Sequence, residues 1–188
     1  EIQALESSGN ARGATAYVTL EPCSHSGLTG PCADALIKAG IAKIFVALED
    51  PNPLVSGKGL ELMTAAGLQV NTGLLSEEAE DLVAGYMVRM RRGRGRVRVK
   101  LAMSLDGRTA MPSGESKWIT NETARQDVQL LRAQSCAIMT GIGTVIADNC
   151  ELTTRFTDSR VFSQEKEMKL SSTLRVLLDS NIRVPKGA

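Results

Sequence analysis

Hydrophobic positions along the chain fall into short apolar runs separated by stretches with helical spacing. Ala14-Thr15-Ala16-Tyr17-Val18-Thr19-Leu20 and Lys43-Ile44-Phe45-Val46-Ala47-Leu48 have the length and β-branched content of buried strands. Between them, Pro31 suits the first turn of a helix running through Ala35, Leu36 and Ile37, with Gly40 as its stop. The first eight residues read as the end of a helix, stopped by Gly9-Asn10. Asp50-Pro51-Asn52-Pro53 is a turn cluster. A short helix around Leu60–Met63 ends at Gly67, and Leu68-Gln69-Val70 is another short strand. Ser76 is predicted to cap a helix reaching about Arg92, with Glu77 and Glu78 suiting its positive end.

The pattern then breaks at Gly93-Arg94-Gly95-Arg96, which sets a domain boundary with residues 1–92 on one side and 93–188 on the other. The second part is predicted to open with a strand, Val97–Ala102, followed by a turn-rich stretch from Asp106 to Ser116. Thr120 is predicted to cap a helix over 121–134, with Ala124, Val128 and Leu131 on its apolar face. Cys136–Thr140 reads as a strand with Cys136 buried, and Gly141-Ile142-Gly143-Thr144-Val145 as a glycine turn entering a short helix. Phe156–Leu170 reads as a mobile polar loop, and Leu174–Asp179 as the last strand. Alternating strands and helices predict an α/β fold with a mainly parallel sheet.

Composition narrows this little. The 188 residues allow one large domain or two small ones, and a net charge of +1 gives no general pull toward nucleic acid or membrane. No apolar run approaches the roughly 20 residues of a bilayer span, which with the absence of a leader pattern predicts a cytoplasmic protein. Both ends look cut, since the chain opens on Glu1 and closes just after a strand-like run. Six arginines between Arg89 and Arg98 could neutralise phosphates. No aromatic residues interleave with them for base stacking, so a nucleic-acid module is the lesser reading beside a solvated linker.

The chemistry lies in Glu21-Pro22-Cys23-Ser24-His25 and Pro31-Cys32. Close thiols in a reducing compartment more often bind metal or do catalysis than form disulfides. Zinc deaminases carry His-x-Glu, then Pro-Cys, then a second Cys opening a helix. Cys23 and Cys32 match the last two parts, with eight residues between them in place of the usual two. Glu1, a helix end and a strand before Cys23, stands where the proton-shuttling Glu belongs, and its zinc-binding His would fall just before it. The competing readings of the two cysteines are a structural zinc pair and idle thiols. His25, the sole histidine, reads as a substrate contact, with zinc ligation and a plain surface position as the other readings.

These motifs resemble the bifunctional riboflavin-biosynthesis deaminase/reductase family. The resemblance rests on Glu1, Thr19–His25, Gly27, Pro31-Cys32 and Glu49–Pro53. In the second half it rests on Lys100–Arg108, Gly114–Thr120, Leu131-Arg132 and Gly143–Val145. It implies a cytidine-deaminase-like three-layer domain followed by a dihydrofolate-reductase-like α/β domain, both incomplete here. It also implies zinc and NADPH as cofactors and a phosphoribosyl pyrimidine as substrate, with neither nucleic acid nor membrane as partner, in a homo-oligomer. The deaminase removes an amino group from a diaminopyrimidinone ribosylamino 5′-phosphate, and the reductase converts its ribose to a ribityl chain. Carried over by position, Glu1 is the proton donor and Cys23 and Cys32 are zinc ligands. Ala102, Trp118, Thr144, Asp148 and Ser180 match cofactor-binding positions, and Ser116, Arg132, Leu152 and Arg155 match substrate-binding ones. Lys100 matches a lysine close to the reductase site. The family's Ala-Asp-Asp-Pro reads Ala147-Asp148-Asn149-Cys150 here. A deaminase without a reductase, and an inactive fragment, are the remaining readings.

Overall fold

The structure is a computed structural model that describes residues 1–26, 30–155 and 173–185. The chain separates into two compact units, Glu1–Val99 and Lys100–Ala188.

In the first unit three strands form a parallel sheet in the order β1-β2-β3, with β1 at Thr15–Leu20, β2 at Lys43–Leu48 and β3 at Gln69–Thr72. Thr15 pairs with Lys43, and Lys43 with Gln69. Parallel neighbours need crossovers, and helices supply them. These are α2 (Cys32–Lys38) between β1 and β2, and α3 (Lys58–Ala65) between β2 and β3. The chain opens with α1 (Ile2–Ser8), stopped at Gly9 with φ 69°. The core joins Ile44 and Val46 of β2 to Ala33 and Leu36 of α2, Met63 of α3, Ile41 and Leu68. Fully burying a side chain such as Ile44 or Met63 contributes about 1.5–3 kcal/mol. A second cluster joins Leu48 to Ala79 and Met87, with Leu20, Ala47, Val83 and Tyr86 around it. On the outer side of the sheet Tyr17 stacks on Phe45 at 5.0 Å, with the Lys43 ammonium 4.6 Å from the Phe45 ring centroid.

The helix expected from Ser76 to Arg92 is two helices, α4 (Ser76–Leu82) and α5 (Ala84–Arg92). They meet at Val83, whose φ of −109° and ψ of 19° interrupt the helix. Ser76 is its first residue and not its cap, because the chain enters through Leu75 in a left-handed conformation with no side-chain cap bond.

The second unit holds α6 (Glu122–Ala133), β4 (Ala137–Gly141), α7 (Ile142–Asp148) and β5 (Leu174–Leu178), with β4 and β5 parallel. The cap of α6 is Asn121, not Thr120: the Asn121 Oδ1 accepts from the Ala124 N–H at 2.9 Å. An Asx side chain reaches the third helical amide from that position. Thr120 offers its carbonyl to the Arg125 guanidinium at 2.6 Å instead. The expected strand at Val97–Ala102 does not form a ladder. Its apolar positions Val97, Val99 and Leu101 are all exposed, and without a neighbouring strand alternation alone makes no strand. Cys136 is exposed rather than buried, because it lies one residue before β4, where its carbonyl accepts from Leu174. The stretch read as a mobile loop, Phe156–Leu170, lies outside the described residues, as does Gly27. No described helix is long and apolar enough to cross a membrane.

Candidate functional site

In open α/β sheets, ligands bind at the carboxyl ends of the strands. β1 runs out at Leu20 into Glu21-Pro22-Cys23, and the loop returns the chain to the start of α2 at Cys32. The loop is closed by backbone geometry. The Ala33 N–H donates to the Cys23 carbonyl at 3.1 Å, and the Cys32 N–H donates to Cys23 Sγ at 3.3 Å. The second cysteine thus offers its own amide to the sulfur of the first, and both side chains are half-buried. Glu1, the residue that precedes α1, lies near enough for its charge to act on the Cys32 thiol. Burial, then the hydrogen bond to Cys23 and the Glu1 charge, push Cys32 up to about 12. Two sulfurs with a carboxylate nearby are thus gathered at the end of β1. That is the donor chemistry of a thiolate-liganded zinc site, and it fits zinc. Among the described residues no group of three or more His, Cys, Asp or Glu is placed to hold a metal ion, so Cys23 and Cys32 stand as a pair of thiols. His25 is exposed at the outer side of the loop. A groove of about 540 Å³ between α1 and β1 reaches Glu1 but touches neither cysteine.

Behind the loop lies a polar group that the sequence motif contained without announcing its role. Glu21 is only 4% exposed. Its Oε2 accepts from the N–H groups of Asp50 (3.1 Å) and Gly57 (2.9 Å), and its Oε1 from that of Gly59 (2.9 Å). Asp50, also buried, accepts from the Asn52 N–H at 2.8 Å and the Tyr86 hydroxyl at 2.7 Å. Burial and Asp50 push the Tyr86 hydroxyl up to about 12. The available signal was an acid placed between Leu20 and Pro22 at the end of a buried strand.

In the second unit, the structure brings together part of the expected set. Arg132, late in α6, donates through Nη1 to the Thr153 carbonyl at 2.8 Å. Burial and the nearby Arg155 charge lower Arg132 below its ordinary value, partly offset by Cys150. Arg155 is placed by the Gln129 side chain, which accepts from its N–H at 2.9 Å, and pairs loosely with Glu151 at 3.7 Å. Two guanidinium groups held near each other suit an anion such as a phosphate. Leu152 sits between them in sequence with its side chain buried and φ of 53°, so contact with a ligand there falls to its backbone. Trp118 is exposed, with the Arg125 guanidinium 4.4 Å from its ring centroid. Thr144 lies in the first turn of α7 and Asp148 ends it, while Ser180 follows β5, and all three are exposed. Lys100 is exposed, and Ala102 and Ser116 are half-buried. Among the described residues, no hydrogen bond or ion pair joins Lys100, Ala102, Ser116 or Trp118 to the arginine pair.

Comparison with known proteins agrees with both halves. Residues 1–48 match the cytidine and deoxycytidylate deaminase zinc-binding region, and residues 96–188 match the RibD C-terminal domain. Riboflavin biosynthesis protein RibD of Escherichia coli is 51% identical over 98% of the chain, and that of Haemophilus influenzae 50% over 98%. The chain spans about half the length of these relatives. A RibD structure from Acinetobacter baumannii superposes with a TM-score of 0.85 at 50% identity, covering 98% of this chain and 51% of that one. A diaminohydroxyphosphoribosylaminopyrimidine deaminase/5-amino-6-(5-phosphoribosylamino)uracil reductase from Thermotoga maritima superposes at 0.78 with 36% identity, covering 95% of this chain and 48% of that one. The chain therefore belongs to the bifunctional riboflavin-biosynthesis deaminase/reductase family.

Proposed function

We propose that the protein containing this chain carries out two successive steps of riboflavin biosynthesis, hydrolytic deamination of a diaminopyrimidinone ribosylamino 5′-phosphate and NADPH-dependent reduction of its ribose. Residues 1–92 belong to the deaminase and 93–188 to the reductase. The observation that carries the reading is the meeting of Glu1, Cys23 and Cys32 at the end of β1.

Cys23 and Cys32 hold zinc, which when bound supplies the Lewis acidity that makes water nucleophilic near neutral pH. Glu1 takes the proton that water gives up and passes it to the leaving amino group, which departs as ammonia. His25, on the outer side of the loop, contacts the substrate. In the reductase, NADPH when bound would supply the hydride for reduction of the sugar. Arg132 and Arg155 hold the substrate phosphate, with Ser116 and the backbone at Leu152 beside them and Lys100 near the reacting end. Ala102, Trp118, Thr144, Asp148 and Ser180 bind the cofactor. The proposal includes a cytoplasmic homo-oligomer with a small-molecule substrate and no nucleic-acid partner. The net charge of +1 supports the last point.

Metal analysis and deaminase assay of the full-length protein and its Cys23→Ser variant test the first site. The parent is expected to hold about one zinc per chain, the variant close to none and no measurable deamination. Equal zinc in both would end the assignment.

A further inference from the structure

Glu21 stands two residues before the zinc-ligand Cys23, yet the reaction as described gives it no part. A carboxylate this deeply buried is costly unless its oxygens are satisfied, and here three backbone N–H groups satisfy them. All three belong to one segment, Asp50 to Gly59, which joins β2 to α3. Two further features converge on the same spot. A Cβ on Gly59 would lie 2.1 Å from the Pro22 carbonyl oxygen and 3.2 Å from Glu21 Oε1, so the start of α3 rests directly on the residue before Cys23. Gly57 takes φ 80°, a left-handed conformation that lets its N–H turn toward Glu21. A hydrophobic residue would fill a buried position of this size at less desolvation cost. What a hydrophobic residue lacks is the ability to fix three amides of a distant loop against the strand end.

We propose that Glu21 is a positioning residue of the metal site. Its carboxylate clamps the Asp50–Gly59 segment onto the end of β1, and this fixes where Cys23 presents its sulfur. Cys23 is anchored on its far side by α2, through the Cys32 and Ala33 amides. On the near side the Glu21 N–H donates to the Leu48 carbonyl at 2.9 Å, and the Glu21 carboxylate adds the only side-chain anchor found there among the described residues. The clamp extends outward, since Asp50 receives the Tyr86 hydroxyl from α5. The inference rests on the zinc-deaminase reading and adds to it a residue that touches neither metal nor substrate.

The decisive comparison is Glu21→Gln in the full-length protein. Gln keeps the shape, but its amide has a single acceptor oxygen, so an NH2 group must face at least one of the three N–H donors. Zinc affinity, read by competition with a chromophoric chelator, is expected to weaken about 10–100-fold, the usual effect of losing a group that orients a metal ligand. The thiolate-to-metal absorption of the cobalt(II)-substituted protein is expected to shift as well. Glu21→Asp keeps the charge and both oxygens one methylene short, and its affinity is expected to fall between parent and Glu21→Gln. A folded Glu21→Gln or Glu21→Asp protein with a lower melting temperature but parental zinc affinity and cobalt spectrum would make Glu21 merely structural and overturn the proposal. A parent that holds no zinc, matched by Cys23→Ser, would instead overturn the zinc reading and the positioning role with it.

Discussion

The two units spend their apolar residues differently. Among the described residues, eleven buried hydrophobic side chains lie in the first unit, from Ala33 to Met87, and three in the second, namely Ile142, Val145 and Leu152. The first unit has three parallel strands, covered at Ile44 and Val46 by α2 and α3. The second has two, and Met139, Leu174 and Leu178 on them are exposed. A parallel pair buries little unless other elements cover it, and three or more strands are the usual minimum for an independent core. The contrast teaches that site precision follows packing. The cysteine loop is held by buried and part-buried hydrogen bonds from two segments, α2 and Asp50–Gly59, whereas the arginine pair is held by the Thr153 carbonyl, the Gln129 side-chain amide and a loose pair with Glu151.

The largest effect that would sharpen this comparison is core truncation. Met63→Ala, at a fully buried position, is expected to cost about 2–5 kcal/mol. Val145→Ala, with fewer buried neighbours and less volume removed, is expected to cost less. Urea denaturation of both variants reads the difference, and equal losses would break the contrast. Next in size is Arg132→Ala. Losing a charged hydrogen-bond donor to phosphate, worth about 1.5–3 kcal/mol, should raise the reductase KM by at least about tenfold. Deaminase activity should stay unchanged. Parallel assays of both reactions check this, and a shared loss would mean that the variant disturbs more than its own site.

The smallest is Tyr86→Phe, which removes the 2.7 Å hydrogen bond to Asp50 and should cost roughly 1 kcal/mol. Its pH dependence has a definite sign. Tyr86 holds its proton more tightly when folded, up to about 12 against 10 for the free side chain. Its contribution is therefore complete below pH 10 and lost as the pH rises through 12. The stability gap between parent and Phe variant should close across that window in melts taken at increasing pH. A gap that stays constant would place the bond's worth elsewhere.

Much of this was legible along the chain. The strands at Thr15–Leu20 and Lys43–Leu48 follow from dense apolar runs, because a strand covered on its inner face needs no long-range information to be recognised. The stops at Gly9, Gly40 and Gly67 follow from the left-handed conformations those glycines adopt. Val97–Ala102 misled for the opposite reason. Alternation describes a surface that could pair, and pairing depends on which strand lies beside it. The helix break at Val83 and the exposure of Cys136 were illegible for a related reason, since both depend on what packs nearby rather than on local propensity.

The sequence by itself carried the motif, two thiols after prolines with an acid ahead of them, and matched Arg132 and Arg155 to substrate-binding positions through the family resemblance. Those are side-chain properties, carried by residue identity and order. Only the tertiary structure decided that Glu21 is a clamp, because its partners Asp50, Gly57 and Gly59 lie 29, 36 and 38 residues away. A buried carboxylate and an exposed one are the same letter, and what separates them is which backbone amides folding brings within three ångströms or so.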